Sequence, residues 1–422
     1  MNKLNMMILL KKHIFFIALV WVTFCYSGLY AASLDSGYPD QIVLSVSEDL
    51  STSVSVSWRT DESMSSSTLQ IAREHSRFNI ADSATTHLAK SELLEFKGLR
   101  TWHHAVLLEG LDAQTTYVYR VGQGEKWSEW INFTTTGGSE ATLKFVYFGD
   151  VQSNIKSMWS RIAKQSIRTI PDAQLILYAG DIVNRGNNLH EWEDWFYASG
   201  GMHQSIPIMP ASGNHDHGDS HAGVYGISEY WNKQFKLPNN GAAGLEGTSY
   251  YADVQNVRFV VFNTEMFNTY EKNREDQVQW LEEVLAQNKQ PWLIMLFHHP
   301  IFSTKKNRDN IELRNLIKPL IDKYKVDLVL QGHDHTYARG KDKVPMTGDE
   351  QSHTTYVVSV SGPKMSEVQE ADWMDRSASF TQLFHGVEVQ HDKLIFSSYK
   401  VNGDLLDTFT ILKTRGVNTI IH

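Results

Sequence analysis

The sequence predicts two domains in series: an N-terminal all-β sandwich, then an α/β domain with layered β-sheets flanked by helices. Three observations support this fold class. Short segments of alternating apolar and polar residues fill the first part of the chain, and near-continuous apolar runs separated by helix-like segments fill the second. Between them lies the Thr- and Gly-rich stretch "FTTTGGSEAT", which is typical of a linker. With 422 residues, 41% of them hydrophobic, the chain is long enough for two domains.

Residues 1–32 are predicted to be a secretory signal peptide. Three lysines lie before or at the start of the apolar stretch "IFFIALVWVTFCYSGLYAA", which ends in the candidate cleavage residues Ala31 and Ala32. An uncleaved membrane anchor is the competing interpretation. Cleavage would give a secreted or periplasmic protein without a stable membrane anchor. It would also remove Cys25, the one cysteine of the sequence, so no disulfide is expected.

The sandwich is predicted to span residues 38–136. In "STSVSVSW", the apolar residues Val54, Val56 and Trp58 share one face of a strand, and "TTYVYRVG" repeats the alternation. Turn-forming Gly, Ser and Asp residues separate such segments, which is typical of an antiparallel sandwich.

The α/β domain is predicted to span residues 142–413. Six runs are typical of strands buried on both faces: "LKFVYFG", "AQLILYAG", "SIPIMPAS", "RFVVFN", "PWLIMLF" and "VDLVLQG". Helices are predicted for "SMWSRIAKQSIRTI" and for "REDQVQWLEEVLAQN", where apolar residues recur at helical spacing. The later segment "LIFSSYKVNGDLLDTFTIL" is predicted to form a hairpin with Asn402 and Gly403 at its turn.

Side chains that can bind metal ions follow five of these apolar runs. They are Asp150, Asp181, the triplet Asn214-His215-Asp216, the pair His298-His299 and the triplet His333-Asp334-His335. Each has a simpler interpretation when taken separately, such as a turn cap for an aspartate or a packing role for a histidine. Because ligands of α/β sheets bind outside the carboxyl ends of the strands, one shared site explains all five together.

The donor types favour a pair of metal ions. Carboxylate, amide and imidazole groups without a thiolate suit Fe, Zn or Mn. The set is too large for one tetrahedral ion. Two divalent or trivalent ions bridged by a carboxylate would use all of it, and such a pair lowers the pKa of a bridging water and neutralises phosphoryl oxygens during in-line attack.

The order D…GD…GNHD…H…GHxH resembles the metallophosphoesterase superfamily, and most of the chain resembles purple acid phosphatases and their bacterial relatives. That family has an N-terminal fibronectin type III-like domain, whose closing strands are similar to "HAVLLEGLDAQTTYVYRVG" followed by "FTT". The segments "PWLIMLFHHPIF" and "GHDHTYAR" are similar to the stretches that carry the family's last two motifs.

The resemblance implies a role for each matched residue. The first metal would be bound by three residues: Asp150, Asp181 and His335. The second metal would share Asp181 as a bridge and be completed by three more: Asn214, His298 and His333.

The resemblance also implies which residues act on the substrate. His215 would meet the leaving oxygen as an acid or hydrogen-bond donor, a task suited to imidazole near neutral pH. Asp216 would orient the site without binding metal. His299 stays ambiguous, as a pocket residue or a structural one.

Two departures from the family concern the first metal. Purple acid phosphatases have a tyrosine at the last position of G-D-x-x-Y, whose phenolate colours the ferric centre, and this chain has Asn184 there. The wider superfamily has D-x-H in its first motif, and this chain has Gln152 in place of the histidine. Gln152 would bind the first metal through its amide oxygen or support a bound water. The protein is predicted not to be purple.

The segment "GDIVNRG" is also similar to the G-D-x-x-D-R-G form of superfamily phosphatases. By that resemblance Asn184 would hydrogen-bond to His215, and Arg185 would contact the substrate, although a surface position is the alternative for Arg185. Where purple acid phosphatases have a histidine pair, "STKKNRDN" has three basic residues that either bind phosphate or belong to a solvated loop: Lys305, Lys306 and Arg308.

These observations predict an acid phosphatase-like, metal-dependent phosphoric ester hydrolase. It would hydrolyse phosphomonoesters by attack of a metal-bound hydroxide, and its partner would be a small phosphate ester. A phosphodiesterase with the same two metals is one alternative, and a non-catalytic surface-binding module is another. The net charge of −9 disfavours nucleic acid as a partner.

Overall fold

The computed structural model describes residues 37–220, 222–343, 353–414 and 417–422. The predicted signal peptide, residues 1–32, lies outside the described residues. Within the described ranges, no helix is both long enough and apolar enough to cross a membrane.

The first part of the chain forms the predicted all-β sandwich. Its strands are β1 (Asp40–Ser45), β2 (Val54–Asp61), β3 (Thr68–Arg73), β4 (Thr85–Leu88), β5 (Lys90–Phe96), β6 (Leu99–Leu108), β7 (Thr116–Gln123), β8 (Lys126–Trp127) and β9 (Ile131–Thr134). One layer has the strand order β1-β2-β6-β5. The other has the order β4-β3-β7-β8, with β9 paired to β7.

Strand β2 begins later than the alternating pattern predicts. The carboxylate of Asp49 accepts hydrogen bonds from the backbone N–H of Ser51 at 2.8 Å and from Thr52 Oγ1 at 3.1 Å. This turn keeps both residues out of the strand. Val54, Val56 and Trp58 nevertheless lie buried in one core, as the alternation predicts.

The second part of the chain forms the predicted α/β domain. Its strands are β10 (Leu143–Phe148), β11 (Leu175–Ala179), β12 (Ile208–Ala211), β13 (His217–Asp219), β14 (Tyr225–Ile227), β15 (Tyr250–Val254), β16 (Val257–Val261), β17 (Trp292–Leu296), β18 (Leu328–Gln331), β19 (Tyr337–Gly340), β20 (Thr355–Val358), β21 (Met374–Ala378), β22 (Leu383–Val389), β23 (Lys393–Lys400), β24 (Leu405–Thr414) and β25 (Val417–Ile421). Its helices are α1 (Ser160–Thr169), α2 (Leu189–Ser199), α3 (Met202–Ser205), α4 (Trp231–Gln234), α5 (Thr264–Thr269), α6 (Lys272–Ala286) and α7 (Ile311–Lys323).

Two mixed sheets form the inner layers. Among the described residues, the first sheet has eleven strands in the order β25-β24-β23-β22-β10-β11-β12-β1-β2-β6-β5. The second has seven strands in the order β15-β16-β17-β18-β20-β19-β21, and β13 pairs with β14 separately.

The central parallel strands of both sheets, such as β11, β12, β16, β17 and β18, are buried on both faces, which accounts for their near-continuous apolar sequences. In β11, Leu175 and Leu177 belong to the core between the sheets, whereas Ile176 and Tyr178 pack in a second core with side chains of α1 and α2. A third core holds the outer face of the second sheet together with α6 and α7.

The first sheet continues from the sandwich into the α/β domain. Ser45 of β1 pairs in parallel with Ile208 of β12, and the backbone N–H of Val46 donates to the carbonyl of Ile208 at 3.0 Å. The sequence pattern predicts two domains joined by a linker, and it does not predict this shared sheet. The pairing makes the sandwich an extension of the α/β layer.

The predicted helices and hairpin are present with small shifts. The first helix is α1, preceded by a π-helical turn at Ile155–Trp159, and the second is α6. The hairpin is formed by β23 and β24, and Gly403 at its turn has a φ of +90°.

The site is positioned by the parallel strands of the two sheets. β10, β11 and β12 are parallel in the first sheet, and β16, β17, β18 and β20 are parallel in the second. Within each sheet the carboxyl ends of these strands therefore lie at the same edge.

Candidate metal centre

The metal-ligand candidates that follow the parallel strands come together in space. Two groups of three residues each have ligand atoms within 4.8 Å of one another. One group is Asp150, Asp181 and His335, and the other is Asp181, His298 and His333. We call them the first side and the second side of the centre. Asp181 belongs to both.

On the second side, two imidazoles, an amide and a carboxylate face each other. His298 Nε2 lies 3.3 Å from Asp181 Oδ2, 3.2 Å from Asn214 Oδ1 and 3.1 Å from His333 Nδ1. His298 Nδ1 donates to the carbonyl of Ala179 at 2.8 Å, so its Nε2 is the nitrogen that faces the site. This donor set fits a metal ion of the Fe, Zn or Mn type.

On the first side, Gln152 lies between the ligands. His335 Nε2 is 3.0 Å from Asp150 Oδ2. The amide nitrogen of Gln152 is 2.8 Å from Asp181 Oδ2 and 3.1 Å from His335 Nε2. The sequence left two roles for Gln152, binding the first metal through its amide oxygen or supporting a bound water. In the structure this oxygen accepts a hydrogen bond from Lys364 Nζ at 3.2 Å.

The charges of the centre suit a cation. Burial lowers the pKa of His298, but the charges of Asp181 and Asp150 outweigh it and raise that pKa to about 10. Burial and the neighbouring His299 and His298 lower the pKa of His333 far below its ordinary value. Burial would raise the pKa of Asp150, but its hydrogen bond to His335 and the charge of His298 lower it. The carboxylates thus attract positive charge, and a bound metal would take the place of the proton on His298.

The backbone at the centre is strained where the ligands are attached. Asp181, His333 and His335 have φ values of 49°, 73° and 57°, in the left-handed region that side chains rarely adopt. Gly213 and Gly332 pack against the ligands themselves, because a Cβ on either would overlap the carboxylate of Asp181 or Asp150. Strain of this kind is typical of functional sites.

His215 contacts the centre through its backbone. Its N–H donates to Asp181 Oδ1 at 2.9 Å, and its ring Nδ1 donates to the main-chain carbonyl of Asn184 at 2.7 Å. The expected contact between Asn184 and His215 is therefore made by the main chain. The side chain of Asn184 instead accepts a bond from Ser153 Oγ at 3.4 Å.

Asp216 links the loops after β11 and β12. Its buried carboxylate accepts hydrogen bonds from the backbone N–H groups of Ile182 at 3.0 Å, Val183 at 3.3 Å and Gly213 at 2.9 Å. Burial and the charge of Asp181 raise the pKa of Asp216 to about 8, although the N–H groups of Gly213 and Val183 oppose the shift. The side chain thus fixes the loop that carries Asp181.

Arg185 lies on the same loop but pairs with a helix. Its Nε donates to Glu191 Oε1 at 2.8 Å, and 69% of its side chain is exposed. Glu191 Oε2 also accepts from the backbone N–H groups of Asn184 and Arg185. The structure places Arg185 on Glu191 of α2, in an exposed position that agrees with the alternative of a surface arginine. Its contact with the substrate stays a prediction.

The remaining candidates lie at the edge of the centre. His299 is outside both groups of ligands, and its Nδ1 is 2.9 Å from Thr264 Oγ1. Arg308 donates to Asp334 Oδ1 at 2.7 Å and to the carbonyl of His333 at 3.2 Å, so it supports the G-H-D-H turn. Lys306 is exposed, whereas Lys305 is partly buried.

Two residues of the site, Glu191 and Lys364, were missed in the sequence, and Asp334 was named without a role of its own. Glu191 accepts from the backbone of the loop after β11, and Asp334 accepts from the backbone N–H of Thr304. Lys364 follows the run "TTYVVSVSG", which forms β20 and was not included among the predicted strands. The apolar content of that run was the signal that could have found it.

The sequence matches two known domain families in order. Residues 39–135 match the purple acid phosphatase N-terminal domain, and residues 143–337 match the calcineurin-like phosphoesterases. With its fold and its carboxylate and imidazole donors at the strand ends, the chain belongs to the metallophosphoesterase superfamily. Its N-terminal domain places it among the purple acid phosphatase-like members.

Individual relatives agree with this assignment. Acid phosphatase type 7 of Mus musculus is 26% identical over 259 residues, covering 56% of this chain and 56% of the mouse protein. Fe(3+)-Zn(2+) purple acid phosphatase 12 of Arabidopsis thaliana is 24% identical over 367 residues, covering 78% of this chain and 75% of that protein. The match thus spans little more than half the length of the mouse relative.

A solved structure shares the fold. The purple acid phosphatase PPD1 of yellow lupin (Lupinus luteus) superposes with a TM-score of 0.72 at 21% sequence identity, covering 89% of this chain and 74% of the lupin chain. This similarity confirms the combination of a β-rich N-terminal domain with an α/β domain.

Proposed function

We propose that the protein is a phosphatase that hydrolyses phosphomonoesters at a two-metal centre, with water as the nucleophile. The observation that carries the proposal is that Asp181 belongs to both groups of ligands. A carboxylate shared in this way is what two neighbouring ions require. The family assignment agrees with hydrolysis of a phosphoric ester.

The ions would be iron, zinc or manganese, held by the seven predicted ligands except Gln152. Two such ions lower the pKa of a water and neutralise phosphoryl oxygens during in-line attack. Asp150, Asp181 and Asn214 would supply oxygen ligands. The three histidines would supply nitrogen ligands: His298, His333 and His335.

His215 would deliver a proton to the leaving oxygen. Its Nδ1–H is held by the carbonyl of Asn184, so Nε2 is the nitrogen that remains for the substrate. Its backbone N–H contacts Asp181, which keeps the ring next to the centre. An imidazole fixed in this way is suited to general acid catalysis.

Basic residues beside the first side would bind the phosphate dianion. Lys364 reaches Gln152, and Lys305 lies near enough to Asp150 and Lys364 to respond to their charges. Burial and the neighbouring Arg308 lower the pKa of Lys305, as expected for an ammonium in a crowded basic environment. A monoester dianion would relieve that repulsion more than a singly charged diester.

We also propose export from the cytoplasm, supported by the signal-like pattern of residues 1–32. Mass spectrometry of the N-terminus of protein recovered outside the cytoplasm tests this. A first residue near position 33 is the expected result, and an intact N-terminus would contradict it.

The function is tested on one preparation by elemental analysis and by hydrolysis of monoester and diester substrates. We expect up to two metals per chain, preference for monoesters, and a kcat for His215→Ala that is lower by about 10²–10⁴-fold. The loss should be large for an alkyl phosphate and small for p-nitrophenyl phosphate, whose leaving group needs no proton.

The matched control is His190→Ala, because His190 is exposed and contacts Glu193 rather than the centre. It should leave kcat unchanged. Preference for diesters would replace the proposal with a phosphodiesterase. A chain that binds no metal and hydrolyses neither substrate would support a binding module.

A further inference from the structure

Gln152 lies on the first side with its amide nitrogen, and not its amide oxygen, toward the candidate metal ligands. Its side chain is fully buried. The amide nitrogen lies 2.8 Å from Asp181 Oδ2, 3.5 Å from Asp150 Oδ2 and 3.1 Å from His335 Nε2. It therefore stands among the three ligand atoms of the first side. An amide NH₂ group donates hydrogen bonds and has no lone pair for a metal ion.

Lys364 determines which end of the amide faces the ligands. Its Nζ lies 3.2 Å from Gln152 Oε1. An ammonium group only donates, so the atom that it contacts must be the amide oxygen. Rotating the amide by 180° would place its NH₂ group against the ammonium of Lys364 and its oxygen against the carboxylates of Asp181 and Asp150. These three contacts would then be repulsive.

The loop that carries Lys364 is fixed to the first side by its backbone. The N–H groups of Ser361 and Gly362 donate to the carbonyl of Asp150 at 2.9 and 2.6 Å, and the N–H of Ser366 donates to the carbonyl of His335 at 2.8 Å. Gly362 packs so closely on the backbone of Gln152 that a Cβ would overlap it. Lys364 is thus tied to the ligands of the first side.

We propose that Lys364 is a positioning residue that holds the amide nitrogen of Gln152 at the first metal position, so that Gln152 competes with the first metal instead of binding it. This inference rests on the proposed two-metal function. A metal ion that enters the first side must displace the amide and break its bonds to Asp181 and Lys364. Among the described contacts of the second side, no side-chain amide nitrogen lies between the candidate ligand atoms. The protein therefore binds one metal tightly and a second metal weakly.

The test is a titration of the apo protein with Zn²⁺ in competition with a chromophoric chelator. It compares the wild type with Gln152→Ala, Lys364→Met and the double variant. Because changes next to metal ligands alter affinity by about 10–100-fold, we expect each single variant to tighten the weaker site by at least about tenfold. The double variant should match Gln152→Ala, since Lys364 acts through Gln152.

Lys305→Met controls for the loss of a positive charge near the site. Two results would show a general effect of charge and overturn the proposal. One is that Lys364→Met still tightens zinc binding when Gln152 is already alanine. The other is that Lys305→Met tightens zinc binding as much as Lys364→Met does. Weaker binding by Gln152→Ala would show that Gln152 is a ligand, and unchanged affinities would equally overturn the inference. Circular dichroism checks the fold of each variant.

Failure of this inference can be distinguished from failure of the proposed function. If the wild type binds two zinc ions with equal affinity and hydrolyses monoesters, only the role of Lys364 is wrong. If the wild type binds no zinc at either side, the two-metal function is wrong as well.

Discussion

The two sides of the metal centre each contain one amide side chain, and the two amides face the site with opposite ends. On the second side, Asn214 presents its oxygen to His298 at 3.2 Å. On the first side, Gln152 presents its nitrogen to Asp181 at 2.8 Å, while its oxygen faces Lys364. The same functional group presents its acceptor atom to the centre in one place and its donor atom in the other. On the first side, the orientation of the amide is set by Lys364, which contacts the oxygen of Gln152.

The two sides also differ in how their histidines are fixed. His298 donates its Nδ1–H to the carbonyl of Ala179, and its Nε2 faces Asp181 and Asn214. The first side instead has Gln152 Nε2 within 3.1 Å of His335 Nε2. The second side is thus prepared for a cation, whereas the first is partly filled by the protein.

The largest loss of metal binding and turnover is expected for a change of Asp181, which belongs to both sides. Asp181→Asn should abolish binding at both sides, because an amide cannot bridge two cations as a carboxylate does. We expect metal affinity to fall by more than about 100-fold, beyond the range of changes around a ligand. Turnover should fall by about 10³-fold or more, as when charge stabilisation of the transition state is lost.

Metal content after dialysis and kcat measure this effect. Asp172→Asn is the matched control, since Asp172 is 61% exposed and pairs with Lys144 away from the centre. Retention of one tight metal by Asp181→Asn would mean that the two sides do not share this residue.

Replacing a histidine of one side alone should reduce metal binding less than Asp181→Asn does, and it should show which side binds the tight metal. His298→Ala removes a ligand of the second side, and we expect loss of the tight metal, so that about one weak site remains. His335→Ala removes a candidate ligand of the first side, and we expect the tight metal to remain, because the second side keeps all three of its own residues, Asp181, His298 and His333. Zinc titration of both variants makes the comparison. Loss of the tight metal from His335→Ala and not from His298→Ala would reverse the assignment of the sides.

Much of the fold and most of the ligands could be predicted from the sequence because each depends on a local pattern. A strand buried on both faces must be apolar along its length, and the residue after it emerges at the sheet edge. For this reason the sequence predicts the positions of Asp150, Asp181 and Asn214 at the sheet edges. The pairing of β1 with β12 could not be predicted in this way. The alternation of apolar and polar residues indicates which face of a strand is buried, but not which strand pairs with it.

The orientation of Gln152 could not be predicted, since it depends on a lysine more than 200 positions later in the chain. The sequence predicts a hydrogen bond between the side chain of Asn184 and His215. In the structure the main-chain carbonyl of Asn184 accepts this bond instead. The absence of a tyrosinate colour, expected from Asn184, stays a prediction. It is checked by the visible spectrum of the iron-loaded protein.

The smallest expected effect is a change in KM when a basic residue beside the first side, Lys305 or Lys306, is replaced. Lys305 is partly buried and the charges of Asp150 and Lys364 act on its pKa, whereas Lys306, the next residue in the sequence, is exposed. If Lys305 binds the phosphate dianion, Lys305→Met should raise KM for a monoester by about tenfold, the value of one charged hydrogen bond. Lys306→Met should change KM little, because exposed charges contribute weakly. Both variants should retain the metal content of the wild type. An equal rise in KM for both variants would mean that the loop acts through its general charge, and the difference between the two sides would then be confined to Gln152 and Lys364.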